Sequence, residues 1–170
     1  GWVAGVGQKR GVDSREIVES DLVVVWGGNP VSTQVNLMTH IAQARKKRGT
    51  KLVVIDPYRT PTAENADIHL PIRPGTDGAL ACAVMHVLFR EGYADRAYMA
   101  KYTDVPDELA QHLSTRTPEW ASAITGLSAG FGIERGALKN DHALLSRQQL
   151  SDRLAVFQQR HDFTAIQLKA

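Results

Sequence analysis

The chain has 170 residues, of which 43% are hydrophobic, 22% charged and 6% aromatic, a balance that supports one sizeable core and excludes disorder and coiled coil. Twenty basic residues against 18 acidic ones leave a net charge of +2, so the overall charge demands no nucleic acid partner. The longest uninterrupted apolar stretch, Ala79 to Met85, falls far short of the roughly 20 residues a membrane-spanning helix needs, and no membrane insertion is expected.

A single cysteine, Cys82, excludes an internal disulfide and a cysteine-rich zinc or iron–sulfur centre. The chain opens Gly1-Trp2-Val3 with no initiator Met and no basic-then-apolar leader, so it is expected to be a piece of a longer polypeptide. The compartment stays unassigned on these grounds.

After a glycine-bearing start, Asp13 with Glu16 three residues later predicts a capped short helix through Glu19. Leu22 to Trp26 is a continuous β-branched and apolar run closed by Gly27-Gly28-Asn29-Pro30, the pattern of a strand covered on both faces. From Val31 the spacing becomes helical: Val31, Val35, Met38 and Ala42, widened by Ile41, define an apolar stripe that ends at Arg45-Lys46-Lys47-Arg48-Gly49. Lys51 to Ile55 is a second buried strand running into Asp56-Pro57, which completes a βαβ unit with parallel strands.

Ile68-His69-Leu70 predicts a short third strand. Thr76 or Asp77 is positioned to cap a helix from Gly78 to Arg90 that is apolar all round and therefore expected to be buried. Further short helices are predicted at Asp95 to Tyr102, Pro106 to Leu113 and Pro118 to Ile124, the last capped by Thr117, and a weakly amphipathic one at Asp141 to Arg160. The expected fold is α/β: a doubly wound, mainly parallel sheet with helices on both faces over residues 1–130, followed by a divergent helical tail over 131–170.

In open parallel sheets, ligands gather beyond the carboxyl ends of the strands, where loops converge and helix N-termini present N–H groups. Gly27 and Gly28 would let backbone approach a phosphate, and Asn29, restricted by Pro30, would project its amide. Asp56 ends the second strand, where a carboxylate can accept from ribose hydroxyls. Arg73-Pro74-Gly75-Thr76-Asp77 adds a cation, a flexible glycine and a carboxylate suited either to the paired N–H donors of guanine or to plain helix capping.

Other patterns carry less. Gly126-Leu127-Ser128-Ala129-Gly130 matches a hydrolase elbow in letters, but a helix precedes it where that chemistry needs a strand, so Gly126 reads as a helix stop and Ser128 as a cap. Gly5, Gly7 and Gly11 have the wrong spacing for a dinucleotide fingerprint. The Arg45 to Arg48 run reads as a solvated helix end, and His86 as a hydrogen-bonded core residue. The six histidines form no metal-binding pair, so neither a metal ligand nor a catalytic residue is assigned.

Three segments together, Asp21 to Pro30, Val53 to Ala63 and Ala66 to Leu80, resemble the catalytic subunits of the molybdopterin oxidoreductases, the formate dehydrogenase and dimethyl sulfoxide reductase group. The resemblance runs on through Thr117-Pro118-Glu119-Trp120 and Ile124 to Ser128. It implies a Rossmann-like domain that binds the guanosine diphosphate part of a molybdopterin guanine dinucleotide, whose molybdenum or tungsten is held elsewhere in the parent enzyme. On that reading Gly27, Gly28 and Asn29 meet phosphates or nucleoside, Asp56 holds ribose or guanine, and Gly75 and Asp77 read guanine, with Arg73 in the same loop.

Members often carry Arg directly after Asp-Pro; here Tyr58 stands there and Arg59 follows, so both are candidates. Cys82, within a predicted helix, is not taken as the metal ligand. The implied partners are the remaining domains of the parent subunit and electron-transfer subunits, in a bacterial cytoplasm or periplasm, and this stretch alone is expected to be catalytically silent. A stand-alone nucleotide-binding module, or an interaction domain with vestigial ligand loops, stays open as an alternative.

Overall fold

The first strand forms where β-branched residues are densest, and it pairs in parallel with the second. The computed structural model describes residues 13–130. Strand β1 (Leu22–Trp26) runs beside β2 (Lys51–Ile55) in a register that sets Leu22 against Lys51 and Trp26 against Ile55. Strand β3 (Ile68–Leu70) adds to the other side of β2, with Val53 against Ile68 and Ile55 against Leu70. The result is a small parallel sheet in the order β1-β2-β3, flanked by helices, an α/β architecture as expected.

The connection from β1 to β2 holds two helices rather than one: α1 (Pro30–Thr33) and α2 (Val35–Arg48). Between them Gln34 leaves helical space at φ −144° and ψ 59°. The Asn29 carbonyl accepts from the Ser32 and Thr33 N–H groups and from the Thr33 hydroxyl, which closes the first turn on itself. This break rotates everything after it, so the expected stripe is corrected. Val35 and Ala42 are exposed, and the inward side of α2 is Leu37, Met38, Ile41 and Ala44. The helix stops where expected, at Gly49, whose φ of 71° lets its N–H close on the Arg45 carbonyl.

Val25, Ile41, Leu52, Val54 and Ala63 form the core between the sheet and these helices, with Ile17, Val23, Leu37, Met38 and Ala66 against its edges. Among the described residues, only one face of β1 is covered. Leu22, Val24 and Trp26 point the other way and remain 55%, 48% and 40% exposed, which corrects the expectation of a strand buried on both sides. A strand at the edge of the sheet has one neighbour, and period-two alternation divides its five residues between core and solvent.

Asp13 caps the next segment as expected, its carboxylate accepting from the N–H of Arg15, and the short helix Ser14–Glu19 is of the 3-10 kind. Helix α3 (Pro61–Glu64) follows β2 and is capped by the Thr60 hydroxyl accepting from Ala63 N–H. Helix α4 (Asp77–Arg90) follows β3, and only Leu80 and Ala83 in it are fully buried; Val84 is 40% exposed, so the all-round apolar pattern does not bury the whole helix. The predicted cap is corrected too: Thr76 is the N-cap residue but its hydroxyl donates to the Arg73 carbonyl, and no side chain caps the helix.

Helices α5 (Arg96–Tyr102), α6 (Pro106–Leu113) and α7 (Pro118–Thr125) lie where the sequence placed them, with Asp95 and Thr117 as side-chain caps for α5 and α7. Leu113, Ala121 and Leu127 join Leu80 and Ala83 among the buried residues, as α6 and α7 both pack on α4. His86 bonds through Nδ1 to the Leu113 carbonyl at 2.8 Å, the hydrogen bond expected of it, but it is half-buried rather than a core residue. No described helix is long and apolar enough to cross a membrane. The expected helix at 141–160 and Gly5, Gly7 and Gly11 lie outside the described residues.

Candidate functional site at the carboxyl ends of the strands

Parallel pairing places the loops after β1, β2 and β3 along one edge of the sheet, and specific bonds draw them together. Gly27 takes φ 63°, a conformation that costs glycine little, and its N–H extends the ladder to the Ile55 carbonyl at 2.8 Å. Asp56 N–H does the same to Leu70 at 3.2 Å, and His69 Nε2 lies 2.9 Å from the Asp56 carbonyl oxygen. The strand ends are thus joined by backbone before any side chain acts.

Asn29 uses both ends of its amide within the protein. Its Oδ1 accepts from the Thr62 hydroxyl at 2.7 Å, and its Nδ2 donates to Ser32 Oγ at 3.1 Å. Thr62, fully buried, also accepts from the Val31 N–H at 3.1 Å. Nothing local in the sequence distinguishes Thr62 from any threonine at the second position of a short helix, so its role is legible only in the fold. The expectation of an amide projecting freely toward a ligand gives way to a clamp between the loop after β1 and the helix after β2.

The second unforeseen residue is Trp26. Its indole Nε1–H donates to Asp77 Oδ1 at 2.7 Å, linking the end of β1 to the first residue of α4. Asp77 is exposed, and its carboxylate retains acceptor capacity beyond this one bond. Asp56 lies in the neighbouring loop and accepts from Tyr58 N–H at 2.8 Å, a turn that leaves the Tyr58 ring 78% exposed and Arg59 exposed beside it. Gly75 takes φ 78°, and a Cβ added at Gly27, Gly75 or Gly78 would meet nothing within 4 Å. The edge therefore offers two carboxylates, open backbone at three glycines, and the N-terminal turn of a 14-residue helix.

Arg73 is placed differently from expectation. Its N–H bonds to the Thr125 carbonyl at 3.0 Å, and its guanidinium lies 3.4 Å from the carbonyl oxygens of Ala123 and Ile124, complementing the C-terminus of α7. Gly126, at φ 78°, stops α7 as expected, and a Cβ there would come within 3.0 Å of Arg73 Nε.

Charge elsewhere is mostly self-paired. Lys47 and Arg48 bond to Glu19 and Asp21, and Arg45 to Asp67. Burial pushes the Asp67 carboxyl up, but the Leu52 N–H bond and the Arg45 and Lys51 cations outweigh it and leave the pKa below the ordinary 3.8. Asp67 precedes β3 and so lies at the opposite ends of the strands from Asp56 and Asp77. Among the described residues no group of three or more His, Cys, Asp or Glu side chains is gathered to hold a metal ion. Cys82 is a half-buried free thiol in α4.

The family model for molybdopterin oxidoreductases matches residues 7–161. The chain is 43% identical over 128 residues to the probable oxidoreductase YoaE of Bacillus subtilis, covering 75% of this chain and 19% of that protein. It is 37% identical over 114 residues to formate dehydrogenase H of Escherichia coli, covering 67% and 16%. Acetylene hydratase from Pelobacter acetylenicus superposes with a TM-score of 0.59 at 29% identity, covering 74% of this chain and 18% of that one. The chain thus spans about a fifth of the length of the relatives it matches. A match over most of its length, on the parallel sheet and strand-end loops described above, shows that the chain belongs to the molybdopterin oxidoreductase family.

Proposed function

We propose that this chain holds the guanosine diphosphate end of a molybdopterin guanine dinucleotide within a formate-dehydrogenase-like oxidoreductase. The observation that carries the reading is the convergence of Asp56 and Asp77 with the open glycines 27, 75 and 78 on one edge of a parallel sheet. The donor set fits the group. Carboxylates accept from ribose hydroxyls and from the adjacent ring N–H and amino group of guanine, and backbone without Cβ lets a diphosphate approach N–H groups. Asp77 would read the base, Asp56 the ribose, and Gly27, Gly28, Tyr58 and Arg59 would line the phosphates. When bound, the pterin and its molybdenum or tungsten supply two-electron chemistry, while this chain supplies position and electrostatics.

The names of the relatives support this division of labour. They include a formate dehydrogenase, a dimethyl sulfoxide reductase and a hydratase, three different reactions sharing this stretch of chain. Such a shared stretch is better explained by holding a common group than by transforming a common substrate. The test is calorimetric titration of the 170-residue chain with GDP and ADP, before and after Asp77→Ala. GDP affinity should fall about tenfold or more while ADP affinity does not fall. Equal losses for both nucleotides would refute the base contact, and an intact fold that binds neither would favour a vestigial interaction domain.

A further inference from the structure

We propose that Trp26 is the positioning residue for Asp77, so that discrimination of the base depends on a tryptophan that need not touch it. This rests on the reading of Asp77 as the acceptor for guanine. An exposed aspartate at the first position of a helix turns freely about both side-chain torsions, whereas accepting two parallel N–H donors requires a carboxylate held in one plane. The indole N–H supplies that restraint at 2.7 Å from Oδ1.

Indole suits the task for two reasons. It is a donor only, so it pairs with a carboxylate oxygen and does not compete as an acceptor for ligand N–H groups. It is also anchored: Trp26 is the last residue of β1, paired with Ile55, and the ladder continues through Gly27 N–H to the Ile55 carbonyl. The bond occupies one acceptor position of Oδ1 and leaves Oδ2 and the remaining lone pair of Oδ1 for a ligand. A base that presents an acceptor at the same edge meets a fixed negative charge and is rejected.

A purely structural role for Trp26 makes a different prediction, and a double-mutant cycle separates the two. In the full chain, Trp26→Phe keeps an aromatic ring and removes the donor. It should weaken GDP about five- to tenfold and narrow the preference for GDP over IDP, which lacks the 2-amino group. In an Asp77→Ala background, Trp26→Phe should cause no further loss. Loss of the same size in both backgrounds, or an unchanged GDP-to-IDP ratio in Trp26→Phe alone, would overturn the proposal while leaving Asp77 as the base contact. Equal weakening of GDP and ADP by Asp77→Ala alone would instead overturn the guanine reading and this inference with it. A second measurement needs no variant: the Trp26 indole N–H resonance of the unaltered chain should shift on saturation with GDP and much less with ADP. An indole resonance unmoved by saturating GDP would overturn the proposal.

Discussion

Asn29 Oδ1 accepts a 2.7 Å hydrogen bond from the hydroxyl of Thr62, 33 residues later in the chain. That hydroxyl also receives the Val31 N–H, so one buried oxygen serves the loop after β1 from the helix after β2. Thr62→Val keeps the shape and removes the oxygen, leaving the Val31 donor and the Asn29 acceptor without it. The expected cost is about 1–3 kcal/mol of unfolding free energy, read from the urea midpoint at constant slope. Thr62→Ser should recover most of it, and a silent Thr62→Val would show that water replaces the hydroxyl.

Arg73 and Gly126 form a second long-range unit. Gly126→Ala forces a side chain into a left-handed turn and against Arg73, with an expected loss of roughly 1 kcal/mol or more. Arg73→Ala frees the α7 carbonyls and should lower stability while leaving GDP affinity within about twofold, because its guanidinium rests on helix α7. A large loss of GDP affinity in Arg73→Ala would place that side chain at the nucleotide after all.

Asp67 makes the fold sensitive to acid. Its folded pKa lies below 3.8, so it binds its proton more weakly in the folded than in the unfolded chain. The stability it contributes is present above pH 3.8 and drains away as pH falls through the lower folded value. With the side chain 24% exposed, the contribution is screened, and about 1 kcal/mol is expected. Asp67→Asn should therefore be less stable at pH 7 and show a shallower loss of stability as pH falls below 3.8. Parallel acid limbs for the two proteins would remove Asp67 as a cause.

The two faces of β1 can be compared with one substitution made twice. Val24→Thr, on the exposed face, should change stability by no more than about 0.5 kcal/mol. Val25→Thr buries a hydroxyl in the core and should cost about 1–3 kcal/mol. Equal effects in chemical denaturation would mean that both faces of the strand are packed alike.

The amino-acid order by itself determined the local elements. Unbroken β-branched runs made β1 and β2, Gly49 and Gly126 stopped helices because left-handed backbone suits glycine, and Thr117 and Asp95 capped α7 and α5 through bonds three residues away. It also placed Asp56, Asp77 and the glycine loops at strand ends, since parallel pairing follows from the strand–helix–strand spacing. Only the tertiary structure decided the partners of Trp26, Thr62 and Arg73, which lie 51, 33 and 50 or 51 residues away in sequence. It also decided which face of β1 is covered and where α2 turns inward. Propensity and capping act over one turn of chain, whereas hydrogen-bond partners across a sheet and the phase of a helix after a break are set by how whole elements pack.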